Sequence, residues 1–172
     1  MTEKPLAAKL SILFFGLIAL GVPFAVGAAN ILNHFYRDGA YLFDSGLLAH
    51  LMTHPDLAEP LPRVLGGGSF YALHVSPIFW LFAELADLLP LTPPQFFAVF
   101  IGAAQALLAA GVFWALVGPI GLRGVAGTAL AALLAIAFCH SGLAVAILRY
   151  PHFEILIAAA AVLFLVALQE ER

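Results

Sequence analysis

The sequence predicts an all-α integral membrane protein, and three observations carry that expectation. Hydrophobic residues make up 63% of the 172-residue chain and charged residues only 10%, with a mean hydropathy of +1.04. A soluble domain carries about 25% charged residues, so lipid rather than water must cover this surface. Next, the apolar residues come in runs long enough for helical spans, which need roughly 20 residues each. Finally, the polar residues gather in two islands between those runs, residues 33–77 and 147–154. A helix suits such runs because it satisfies its backbone polar groups within one segment.

Taken in order, residues 1–9 are a short polar head with Lys4 and Lys9, and residues 10–32 are the first span. That run starts like a signal peptide, and Ala25, Val26 and Gly27 are small residues of the kind a signal peptidase accepts. It is too long for a typical signal-peptide core, and further apolar segments follow, so it reads as an uncleaved span. Pro23 is expected to kink it, which neighbouring helices can accommodate. Lys4 and Lys9 favour a cytoplasmic N-terminus by the positive-inside rule. The expected setting is a bacterial inner membrane.

An extracytoplasmic loop over residues 33–73 follows. The stretch 33–77 holds four of the six histidines, Arg37, Arg63, Asp38, Asp44, Asp56 and Glu59. Within it, residues 44–53 read as an amphipathic surface helix, because Leu47, Leu48, Leu51 and Met52 recur at helical spacing. Pro55 ends that helix, and Pro60, Pro62 and the three glycines 66–68 mark an irregular loop.

Residues 74–89 are expected to form a short or re-entrant helix. Glu84 and Asp87 share one of its faces, and burying a carboxylate in a bilayer costs on the order of 3 kcal/mol. Residues 96–117, 125–142 and 155–168 read as further spans, with a tight turn at 118–124 carrying Arg123 and a charged end at 169–172. The result is one membrane domain over residues 1–172, with four full transmembrane helices and one short or re-entrant helix.

Whether 74–89 crosses decides the sides. If it crosses, Arg123 and Arg172 fall outside. If it dips and returns, both fall inside, and Arg149, His152 and Glu154 share a side with Asp44. The dipping topology places one more basic residue in the cytoplasm and is the one expected.

Several functions are disfavoured at once. No basic run suggests nucleic acid. A single cysteine, Cys139, excludes an internal disulfide framework and any multi-cysteine metal site.

Asp38 and Asp44 flank the mouth of the first span. An acid held beside a membrane can act as a general base, a metal ligand or a sugar-hydroxyl acceptor, and it can equally be a helix N-cap, as Asp44 would be for the 44–53 helix. His50 and His54 are four apart and would share a helix face, a spacing able to hold a metal. No glutamate follows His50, so the metalloprotease pattern is absent. His74 precedes Ser76-Pro77, where the chain re-enters the bilayer. His140 lies in an Ala-rich span, where a polar residue is costly; a hydrogen bond to a neighbouring helix or ligation of a pigment or haem would explain it. Arg149, His152 and Glu154 form the second island, with Arg149 suited to a phosphate. Tyr71, Trp80, Trp114 and Tyr150 read as interfacial belt residues. The Ala/Gly-rich runs around 102–111 and 127–137 read as helix-packing faces.

These islands, in this order, resemble a family of uncharacterised bacterial multi-pass membrane proteins that is itself similar to the type C glycosyltransferases. The resembling residues are Asp38-Gly39 through Phe43-Asp44, Gly67-Gly68-Ser69-Phe70 leading to His74 and Ser76-Pro77-Ile78, Gln105, and Pro151-His152-Phe153-Glu154. The last element has its order altered, and Ser45 stands where the family tends to have Gln. The resemblance implies active-site roles for Asp44, for His74 and for His152 or Glu154; Asp44, His74 and Glu154 are then the expected catalytic residues, and Asp38, Arg149 and His152 the expected substrate-binding ones. It also implies a polyprenyl-phosphate sugar as donor and a divalent metal as a cofactor of catalysis. It covers nearly all of this chain but about the first third of a family member. A chain of this length is expected to serve as a non-catalytic accessory subunit that packs in lipid against other membrane subunits, with a glycosyltransferase-like module as the alternative.

Overall fold

The computed structural model describes residues 6–38 and 78–141, together with Leu163 and Ala167. The described residues are helical with short turns and contain no strand. The surface helix expected at 44–53 lies outside them, as does the last span apart from Leu163 and Ala167, which are helical and exposed.

Helix α1 is Leu6–Asn33, 28 residues, and it continues through a π-helical turn, His34–Asp38. Helix α2 is Ile78–Leu88, α3 is Pro93–Val117 and α4 is Gly124–Cys139. Two of these, Leu6–Arg37 and Pro93–Val117, are long and apolar enough to cross a membrane. At 1.5 Å per residue, α1 and α3 measure about 42 and 38 Å, beyond the roughly 30 Å hydrocarbon layer. Helix α4, with 16 residues, measures about 24 Å, and α2, with 11, about 16 Å.

Element boundaries differ from expectation in informative ways. The first span starts four residues earlier than the apolar run, with Lys9 inside it, and the expected loop at 33 begins as a π-helical turn to Asp38. Pro23 lies within a single helix. It has no amide proton, so the Ala19 carbonyl lacks its usual donor. Helix α3 begins at Pro93, not at 96. Thr92 occupies the cap position and donates its amide to Gln95 Oε1 at 3.0 Å, one half of a capping box, with a proline at the first helical position. The turn at 118–124 is as expected. Gly121 and Gly124 have φ of +82° and +73°, which side-chain-bearing residues rarely adopt.

The chain divides into two compact units, Met1–Ala29 with Val99–Arg172, and Asn30–Ala98. In the first, α1 packs antiparallel to α3. Gly16 faces Phe113, whereas Gly27, further along α1, faces Gln105, earlier in α3. Helix α4 folds back along α3 after the turn, and its last residue, Cys139, donates to the Gln105 carbonyl at 3.5 Å. The buried side of α4 is small: Thr128, Ala131, Ala132, Ala135 and Cys139. Buried hydroxyls are satisfied locally, as a lipid setting requires. Ser11 donates to the Ala8 carbonyl and Thr128 to those of Gly124 and Val125.

The second unit is held by aromatic rings. Phe82 of α2 lies 5.5 Å from Phe96 and 6.5 Å from Phe97, between centroids, and Phe35 of the π-helical turn stacks on Phe97 at 6.1 Å. Helix α2 buries Phe82 and Ala83 and exposes Glu84 and Asp87.

Candidate functional site

Most of the residues singled out in the sequence lie outside the described residues: Asp44, His50, His54, His74, Arg149, His152 and Glu154. Asp38 ends the π-helical turn. A π-helical turn at the end of a long helix is an uncommon feature and is frequent at functional sites. Its ring contact through Phe35 fixes the turn in its unit, while Tyr36 and Arg37 are exposed.

His140 is placed differently from expectation. It caps the C-terminus of α4 and is exposed, with its amide donating to the Ile136 carbonyl at 3.1 Å. The helix ends at Cys139, three residues before the end of the span expected over 125–142, so His140 follows the helix as its cap.

Among the described residues, the interior polar group that stands out is Gln105. It is 7% exposed, and its Oε1 is buried without a hydrogen-bond partner. Three helices meet there. A Cβ added to Gly27 of α1 would lie 2.7 Å from Gln105 Oε1, and the Cys139 thiol of α4 bonds the Gln105 carbonyl. Gly102, one turn earlier in α3, lets the backbone of α1 approach, since a Cβ there would lie 2.7 Å from the Phe24 carbonyl oxygen. The carboxamide oxygen is thus closed over by a glycine, and it marks the contact of the helices rather than an opening for a ligand. An unpaired buried acceptor costs about 1–3 kcal/mol.

Sequence reasoning named Gln105 in the resemblance but did not assign it to a site. The available signal was an amide in the middle of a 25-residue apolar helix, ten residues past the Gln95 that serves its cap. Its pairing with Gly27 and Cys139 depends on the relative register of three helices, which no local pattern encodes. Among the described residues, no three His, Cys, Asp or Glu side chains gather in a way that would hold a metal ion.

No family model matches the chain, and no curated protein or solved structure matches it either.

Proposed function

We propose that the chain is a non-catalytic, multi-pass subunit of a larger membrane assembly, related to the type C glycosyltransferase-like fold. The observation that carries this reading is the outer face of α1. Leu6, Leu10, Leu13 and Leu17 recur at helical spacing and are all exposed, while the buried side holds Ser11, Ala19, Pro23, Gly27 and Ile31. In the most apolar stretch of α1, 17% of residues are buried, against 67% in α3. A helix so sparsely covered by its own chain is suited to cover from a partner's helices.

The contact surface is not the one that the Ala/Gly runs suggested. Gly102, Ala104, Ala106 and Ala109 of α3, and Ala131, Ala132 and Ala135 of α4, are buried within the chain. Small residues have brought these helices together internally. A partner would meet the large apolar side chains of α1, where association in lipid rests on van der Waals packing.

The proposed topology has four full spans, namely α1, α3, α4 and a last one at 155–168, with α2 as the short or re-entrant helix. Antiparallel α1 and α3 support it, because one crossing between them would leave them parallel. Helix α4 is short for a full span and relies on local thinning of the bilayer. Lys9 and Arg123 share an end of the first unit, which supports a cytoplasmic N-terminus in a bacterial inner membrane.

The test is a photo-reactive side chain at Leu13 or Leu17 in native membranes, with the buried Ala131 position as an internal control. A discrete protein adduct at the α1 positions is expected. Lipid adducts alone would overturn the reading.

One observation favours the catalytic alternative. Helices α1 and α4 both run antiparallel to α3, so their C-termini point to the same end. On this reading Asp44 acts as base or metal ligand toward a lipid-linked sugar. Its test is release of sugar from a polyprenyl-phosphate donor, with and without a divalent metal ion. Asp44→Asn and Glu154→Gln should each abolish turnover, and unchanged turnover would eliminate it.

A further inference from the structure

Among the described residues of the first unit, charge is confined to one end. Among its described residues, the Lys, Arg, Asp and Glu side chains are Lys9 and Arg123 alone, both exposed. The acids Asp38, Glu84 and Asp87 belong to the other unit. Antiparallel packing brings the two cations to the same level. Lys9 lies in α1 two turns before Gly16, Gly16 faces Phe113 near the end of α3, and Arg123 closes the turn that follows α3.

The described residues near this end in the chain include large apolar and aromatic side chains that stand in the open. Leu6, Trp114 and Ile120 are 71%, 55% and 65% exposed. A soluble surface would not gather such residues beside cations, whereas a bilayer boundary favours the combination. Long basic side chains reach the headgroups while their stems and neighbouring apolar groups meet the acyl chains. The turn adds no acid that would neutralise the pair.

We propose that this end of the molecule binds anionic phospholipid headgroups, with Lys9 and Arg123 at the phosphates and Leu6, Trp114 and Ile120 at the acyl boundary. The inference rests on the reading that α1, α3 and α4 cross the membrane. It adds that the leaflet at this end is selected by headgroup charge.

The experiment uses the full chain in two arms. Vesicle flotation with phosphatidylcholine alone asks whether the chain enters a bilayer. Lipid retention by the detergent-purified chain, offered equal phosphatidylglycerol and phosphatidylcholine, asks about headgroup choice. Each basic residue near an anionic surface gives about a fivefold preference, so roughly 30-fold enrichment of phosphatidylglycerol is expected at low salt. The preference should shrink as salt rises. The double variant Lys9→Gln/Arg123→Gln should retain both lipids equally with helicity unchanged, and Arg37→Gln should behave as the parent. Equal retention by the parent, a preference that survives the double variant, or its loss in Arg37→Gln would overturn the proposal. A chain that fails to float would overturn the membrane reading instead.

Discussion

In the unit formed by residues 1–29 and 99–172, helices meet where side chains are missing; in the unit formed by 30–98 they meet through the largest apolar rings. Gly27 and Gly102 admit a carboxamide and a backbone carbonyl to positions that a methyl group would occupy. Phe35, Phe82, Phe96 and Phe97 fill the other unit with tilted and stacked rings. The difference follows from what each must join. Long helices in close contact gain dispersion energy along their whole length once small residues let them approach. An 11-residue helix such as α2 has few contact positions, and large rings give it more contact area at each one.

This contrast predicts opposite sensitivities. Truncation should hurt the ring cluster most, so Phe97→Ala should cost about 3 kcal/mol, because Phe97 is fully buried. In detergent that corresponds to a fall in melting temperature of about 9 °C for a chain of this size. Enlargement should hurt the glycine contacts. Gly102→Ala sets a methyl against the Phe24 backbone and should cost about 2 kcal/mol, read as a loss of about 6 °C. A ring cluster that tolerates Phe97→Ala, or a glycine contact that tolerates Gly102→Ala, would erase the distinction.

Smaller effects sharpen it. Gly27→Ala meets the movable end of Gln105 first, with the Gly102 backbone further off at 3.3 Å, so about 1 kcal/mol is expected. Combining it with Gln105→Ala should recover part of that loss, and a double-mutant cycle measures the coupling. Gln105→Met alone removes the unpaired oxygen and should stabilise by about 1 kcal/mol, visible as a rise of about 3 °C. A destabilised Gln105→Met would mean that the carboxamide bonds a donor after all. Last, a Cβ at Gly21 meets nothing within 4 Å, so Gly21→Ala should change stability by no more than about 0.5 kcal/mol, with the sign of improved helix propensity.

Composition and run length made the helical, apolar character of the chain legible, because both are summed over many residues and survive local error. The turn at 118–124 was legible for a local reason, its glycines at left-handed positions. The start of α3 was expected at 96, three residues late, because Thr92 and Gln95 cap a helix that opens on Pro93. The end of α4 was legible only to within three residues, and His140 falls just past it as an exposed cap. Which faces the Ala/Gly runs present was legible as packing, whereas their partner was not, since pairing inside the chain and between chains uses the same small residues. The Gln105 contact required three helices in register and could not be read from any one of them.

The central claim is that α1 and α3 run antiparallel across a bilayer, with the turn at 118–124 on the side of the N-terminus. Sided labelling tests it most directly. Single cysteines at positions 9, 120 and 140, in a chain carrying Cys139→Ala, are exposed to an impermeant thiol reagent in membranes of known orientation. Lys9→Cys and Ile120→Cys should label from one side and His140→Cys from the other. Labelling of positions 9 and 120 from opposite sides would contradict the account.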